Sequence, residues 1–284
     1  MIKSILAIVL LLPLFLSAQK NAPKTPEELV ALMKQNVTCD WQTETVDVFK
    51  AGNPQSNLKG IAVCMFADMP TLKKAVELGC NFIITHEPVF YSHLDETENL
   101  QDNAVFKEKM DFIQKHKLVV FRYHDHIHAT EPDGIYLGMI DQLNLKPYAV
   151  DESMIHYKLP QQSVAEYGES LKKALGLETI RVIGNPEMKF TKMALMVGAP
   201  GGQRHISMLN RNDVEVLVAG EASEWETYLY ANDAVNLGKN KAVIFLGHIK
   251  SEEAGMKYCT KWLKSFVSGV PIHFIENELN FTTL

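Results

Sequence analysis

Phe82-Ile83-Ile84-Thr85-His86-Glu87-Pro88 is the stretch that decides the fold. Its first four residues are apolar or β-branched, and the run is bounded by Gly79 and Pro88. That length and composition predict a short strand buried on both faces rather than a helix. Such a strand needs helices as cover, which is the signature of a parallel sheet. The flanking sequence supplies them. Upstream, Ile61 to Phe66 is a second apolar run, and Asp68 can cap an intervening helix that Pro70 opens and Gly79 ends. Downstream, Asp102 to His116 reads as a helix with Val105, Phe106, Phe112 and Ile113 apolar, and Leu118 to Tyr123 reads as a third strand.

The pattern recurs in the second half. Met193–Val197, Val214–Ala219 and Ala242–Leu246 read as strands, with helices over Gln203–Asn210, Glu224–Leu237 and Ser251–Val267. Ser163–Leu175 reads as a connecting helix and Gly184-Asn185-Pro186 as a turn. Near the start, Thr25-Pro26-Glu27-Glu28 predicts a helix with Thr25 as cap and Glu28 closing a capping box. The expected fold class is therefore α/β. Two similar α/β lobes, approximately 19–150 and 151–284, would carry mixed, mostly parallel sheets within one domain.

Of the 284 residues 46% are hydrophobic and 22% charged, which excludes a disordered chain or a small disulfide scaffold. The 34 acidic against 28 basic residues leave a net charge of −6, which argues against nucleic acid as a partner. Met1–Ala18 reads as a signal peptide: Lys3 is its positive end, Ile5–Leu16 its apolar run, and Ser17-Ala18 its small residues before Gln19. The run falls short of the ~20 residues of a membrane span. An uncleaved anchor is the competing reading. The mature chain is thus expected to be exported, periplasmic or secreted, with no membrane segment. Cys39, Cys64, Cys80 and Cys259 are far apart and form no CxxC, which speaks against a zinc knuckle, and Cys64 reads as a buried small hydrophobe.

In open parallel sheets, ligands bind beyond the carboxyl ends of the strands. Those ends are unusually polar here: His86-Glu87-Pro88, then His124-Asp125-His126-Ile127-His128, then Gly220-Glu221, then Gly247-His248 with Glu252 one helical turn on. A single histidine at a strand end is ordinarily structural; several at converging ends point to a metal site. Imidazole and carboxylate together suit divalent zinc, manganese, iron or cobalt. Two ions ~3.5–4 Å apart need a bridging carboxylate and several terminal ligands, which this set can supply. A serine hydrolase lacks its nucleophile elbow, and a TIM barrel lacks its eight units. Gly198-Ala199-Pro200-Gly201-Gly202 has no Walker lysine and reads as a strand-to-helix turn. His93, His116, His156, His205 and His273 read as surface or core residues.

At these residues the chain resembles the Nif-three-like family, the YbgI-type proteins that carry a GTP cyclohydrolase I type 2 label. The resemblance spans nearly all of the chain after the leader. Thr85-His86-Glu87-Pro88 matches a Thr-His-His-Pro frame, His124–His128 matches a His-three-residues-Asp frame, and Gly220-Glu221 and Gly247-His248 with Glu252 match directly. The resemblance implies metal ligands at His86, Glu87, His128, His248 and Glu252. Glu87 stands where the family has His, and His128 where it has Asp, so three imidazoles and two carboxylates remain. That exchange implies a compensated two-ion site; loss of one ion is the alternative. The resemblance also implies a homohexamer with its centres facing an inner cavity. The connection from Ser163 to Gly184 is too short for the domain inserted in longer members, so the short form is expected.

The expected function is an exported hydrolase with two divalent ions acting on a small-molecule substrate: a phosphoester, an amide or a cyclic ring. Glu221 is the candidate general base and His124 a candidate ring-orienting or proton-carrying residue, with Asp125 or His126 orienting ligand rings. GTP itself fits an exported protein poorly. A non-catalytic, metal-holding oligomeric partner protein is the rival class.

Overall fold

In the computed structural model, which describes residues 22–278 and Thr282, the chain opens with helix α1 (Pro26–Asn36). The predicted signal segment Met1–Ala18 lies outside the described residues. Thr25 Oγ1 accepts from the Glu28 amide, as a cap should, but the Glu28 carboxylate reaches past Thr25 to the Lys24 amide. The first half continues as β1 (Phe49–Ala51), β2 (Ile61–Cys64), α2 (Met69–Glu77), β3 (Phe82–Thr85), α3 (Ala104–Lys115) and β4 (Val119–Arg122). The short α4 (Asp125–Ala129) and α5 (Gly134–Gln142) follow. Asp68 and Asn103 cap α2 and α3 through their side chains.

The second half runs β5 (His156–Ser163), α6 (Val164–Leu175), β6 (Arg181–Ile183), β7 (Lys189–Met196), α7 (Gly202–Leu209) and β8 (Val216–Ala219). A π-helical turn, Glu224–Tyr228, leads into α8 (Leu229–Asn236), then β9 (Ala242–Phe245), α9 (His248–Phe266) and β10 (Ile272–Phe274). Between Ser163 and Gly184 there is only α6 and a three-residue edge strand, as the short form requires.

The architecture is α/β with two mixed sheets. The first has the order β1-β4-β3-β2-β10, parallel except for β1; the second has the order β5-β7-β8-β9-β6, parallel except for its two edges. Every residue of β2, β3, β4, β8 and β9 is buried, which is why these strands are continuous apolar runs. The last strand of the chain, β10, lies in the first sheet beside β2.

Helix α9 therefore spans the two sheets, and its crossing with α5 is close. A Cβ on Gly138 would lie 2.2 Å from the Ala254 carbonyl oxygen, and one on Gly255 would lie 2.5 Å from Ile135 Cα. Only glycine lets the two backbones approach this far. The four cysteines are free, and Cys64 is fully buried in β2 as expected. Among the described residues no helix is long and apolar enough to cross a membrane.

Candidate metal centre

The carboxyl ends of β3 and β4 face those of β8 and β9, so the polar residues that follow these strands meet. Glu87 Oε1 lies 3.0 Å from His248 Nε2, and Glu252 Oε2 lies 3.2 Å from the same nitrogen. His86 Nε2 stands 3.4 Å from Glu252 Oε2, and His128 Nε2 stands 3.7 Å from Glu252 Oε1. The five residues expected as ligands thus share one site. His124, expected to orient rings or carry protons, belongs to the same cluster. Its Nε2 is 3.8 Å from Glu87 Oε1, and ring nitrogens of His86, His124 and His128 lie within 4.8 Å of one another. Ligand atoms of His86, Glu87 and Glu252 form a second such group.

Each of the four imidazoles is held by its other nitrogen, so that Nε2 is the atom presented to the cluster. His86 Nδ1 contacts the Tyr123 carbonyl at 3.2 Å. His124 Nδ1 contacts Asp125 at 2.9 Å, His128 Nδ1 contacts Asp133 at 2.9 Å, and His248 Nδ1 contacts Glu221 at 2.9 Å. Such partners fix ring orientation and tautomer in metal sites. Glu221, the candidate base, accordingly sits against His248 with its side chain 63% exposed at the rim. Asp125 takes the orienting role for His124. His126 does not join the cluster: its Nδ1 meets Asp47 at 2.7 Å, its Nε2 accepts from the Gln42 amide, and its ring stacks on Trp41 at 3.7 Å.

Several supporting residues were invisible in the motifs. Asp47, buried, accepts from the amides of His124, Asp125 and His126, which fixes the turn that carries the histidines. Asp133 caps α5 through the amides of Ile135 and Tyr136 while its other oxygen holds His128. An aspartate followed by glycine and an apolar run is the signal that could have found this cap; nothing local marks its second duty. Arg122, fully buried at the end of β4, donates to the His86 carbonyl at 3.1 Å and to the His93 carbonyl, and reaches Glu87 Oε2 at 3.5 Å. A lone charge closing a buried strand is the signal that could have found it.

The charges are strongly coupled. Burial acts to raise the Glu87 carboxyl, but close contact with His248 and the neighbouring imidazoles of His86, His248 and His124 outweigh it and hold the group at about 2. Glu252 is likewise held well below the usual carboxylate range, burial being overcome by His248 and His86. His248 moves the other way. Burial disfavours its charge, yet the two glutamates lift it to about 10. His124 is lowered by burial and by the neighbouring His86.

Two observations show that this donor set fits a metal. His86 Nε2 and Glu252 Oε2 are buried without completing a hydrogen bond, though each faces the cluster. Buried polar atoms are rarely left so unless another group is to engage them. The Glu87 and Glu252 carboxylates both face His248 Nε2, and a divalent cation suits the place that the proton on that nitrogen takes between them. The glycine turn after β7 serves the same centre. A Cβ on Gly198 would lie 2.1 Å from Glu252 Oε1, and the Glu226 carboxylate packs against Gly202 at the start of α7. The turn therefore makes room for the Glu252 carboxylate at Gly198.

Comparison with known proteins places the chain in a family and supports its fold. The sequence profile of Duf34/NIF3 (NGG1p interacting factor 3) matches residues 26–280. The GTP cyclohydrolase 1 type 2 homolog of Chlamydia pneumoniae is 25% identical over 262 residues, covering 86% of this chain and 94% of its own. The protein of the same name from Clostridium acetobutylicum is 22% identical over 224 residues, covering 75% and 79%. Among solved structures, the Staphylococcus aureus hypothetical protein SA1388 superposes with a TM-score of 0.72 at 14% identity, over 92% of this chain and 100% of its own. At that identity the likeness shows the fold.

Proposed function

This chain belongs to the Duf34/NIF3 family, and from that premise we propose that it is an exported hydrolase using two divalent ions on a small-molecule substrate. The observation that carries the reading is the convergence of four anchored imidazole Nε2 atoms on Glu87 and Glu252. His86, Glu87, His124, His128, His248 and Glu252 would hold the ions, zinc, manganese, iron or cobalt by ligand type. Bound there, such ions acidify a water and polarise the bond under attack.

The chain's own residues do the rest. Glu87 and Glu252 supply negative charge on both sides of His248 Nε2, and Arg122 keeps Glu87 turned into the centre. Glu221 fixes the His248 tautomer through one oxygen, and its exposure leaves it able to exchange a proton with substrate or solvent at the rim. Asp125, Asp133 and the Tyr123 carbonyl keep the remaining rings aligned. The exchange of a histidine for Glu87 and of an aspartate for His128, relative to the family frame, preserves the count of carboxylates in the centre.

Metal analysis of anaerobically purified protein, with a panel of phosphoesters, amides and nucleotides, tests the reading. About two ions per chain, with turnover abolished by chelation and by His248→Ala, is the expected result. A folded, metal-loaded protein inert on the whole panel would favour a metal-holding partner protein instead. Export predicts a mature chain starting at Gln19, read by intact mass of the secreted or periplasmic fraction. Self-association as a homohexamer, implied by the family resemblance, is read by light scattering.

A further inference from the structure

The loop Val89–Asp95 follows the His86-Glu87-Pro88 strand end, and buried charge holds it to an unusual degree. Asp95 Oδ1 accepts from the Val89 and Phe90 amides at 2.6 and 2.7 Å, and its other oxygen pairs with Lys50 at 3.2 Å. Lys109, 4% exposed, donates to the Val89 carbonyl at 2.6 Å. Arg122, the guanidinium that reaches Glu87, also donates to the His93 carbonyl. Two non-glycine residues of this short loop, Tyr91 and Asp95, sit at φ of 67° and 59°. Left-handed backbone at such residues persists where the surroundings over-determine it, and it clusters at ligand-contacting segments.

What the pinned loop presents is specific. Tyr91 and Leu94 are 60% and 59% exposed. Between them His93 is also exposed, and its ring stands edge-on to His124 with centroids 6.4 Å apart and an interplanar angle of 85°. Among the described residues no hydrogen bond or ion pair engages the His93 ring, and it lies outside the groups of converging ligand atoms. A histidine at this distance borders the centre without entering it.

We propose that His93 is a substrate-binding residue, donating its ring N–H to a phosphoryl oxygen of a phosphoester held at the centre, while Tyr91 and Leu94 receive the ester's organic group. The proposal rests on the two-ion reading above. A phosphoryl group has oxygens beyond those that two metal ions engage, and a donor carried at the rim on a held backbone is the complement for one of them. Leu94 and the Tyr91 ring, which Lys109 Nζ approaches at 5.3 Å from its centroid, suit an aromatic or aliphatic alcohol portion.

The test uses the full mature chain loaded with metal, with inorganic phosphate, methylphosphonate and phenylphosphonate as probes in titration calorimetry. His93→Ala should keep wild-type metal content and melting temperature while weakening phosphate about tenfold, the scale of one lost hydrogen bond to a charged group. His93→Gln, which retains a donor, should recover part of that loss. Leu94→Ala and Tyr91→Ala should remove a preference for phenylphosphonate over methylphosphonate. Unchanged phosphate affinity in His93→Ala, loss of metal in that variant, or no phosphate binding by the loaded wild type would each overturn the proposal. If phosphate binding depends on His93 but the substrate panel shows no turnover, the hydrolase reading fails and the binding role stands.

Discussion

Replacing Gly198 with alanine separates the two things this residue does. Its φ is +63°, and an added methyl would lie 2.1 Å from Glu252 Oε1 and 2.7 Å from its Cδ. The first effect is backbone strain, about 1–2 kcal/mol for a non-glycine residue in left-handed geometry. For a domain of this size that corresponds to a melting temperature lower by about 2–8 °C. The second effect is local. Side-chain methyls do not approach other atoms closer than 3.0 Å, so the carboxylate must retreat by about 1 Å. Ligand distances in metal sites tolerate ~0.2 Å. Metal affinity should therefore fall by at least the ~10–100-fold seen when a supporting group is lost. Gly201→Ala is the control: it has φ of +95° in the same turn, but its added methyl meets nothing within 4 Å. Calorimetric metal titration and thermal melts with and without metal read both effects. If Gly198→Ala binds metal as the wild type does, or if Gly201→Ala weakens metal equally, the contact between the turn and Glu252 is not what supports the site.

Glu221→Gln removes the anionic partner of His248 Nδ1 at an exposed position, so the fold should persist while metal affinity drops by ~10–100-fold; unchanged affinity would refute the orienting role. Arg122→Met takes the guanidinium donor from the buried His86 carbonyl and from the His93 carbonyl, with an expected loss of about 1–3 kcal/mol in urea denaturation. The metal-free protein should also show a characteristic pH profile. His248 is raised to about 10, so its contribution is fully present below its unfolded value of 6.5 and is lost as pH climbs towards 10. Glu87 is lowered to about 2, so its contribution is present above 4.5 and is lost as pH falls towards 2. Melting temperature without metal should peak between these limits and decline on the alkaline side. Metal binding, which requires neutral His248, should instead strengthen over that same alkaline range. A metal-free protein equally stable at pH 6 and pH 9 would contradict the coupling of His248 to its two glutamates.

Much of the fold was legible because β2, β3, β4, β8 and β9 are buried on both faces and must be continuous apolar runs. Helix starts at Asp68 and Ser163 were equally readable, since capping is local chemistry. The edge strands were not. β1 and β6 are three residues long, and β5 intersperses exposed Lys158, Pro160 and Gln161 with a few buried residues, so no apolar run betrays them. Strand β10 was missed for the same reason of length, and α5 because its glycine-rich apolar stretch has no clear periodicity. Helix α9 starts at His248 rather than Ser251, which puts Glu252 one turn inside it, on the face of His248.

By itself the sequence determined which side chains lie at the carboxyl ends of the central strands, because burial dictates the strands and the strands dictate their ends. Those ends carry His86-Glu87, His124 to His128, Glu221, and His248 with Glu252, and from among them the resemblance to the Nif-three-like family singled out His86, Glu87, His128, His248 and Glu252. Only the tertiary structure decided that His124 joins them, that His126 turns away to Asp47 and Trp41, and that Asp133, Arg122 and Gly198 support the centre. The reason is physical. A strand's end is a local property of backbone and burial, whereas the direction of a ring is set by whichever distant carboxylate or carbonyl captures its second nitrogen, and that partner is brought near only when the two sheets and the α5–α9 crossing have assembled.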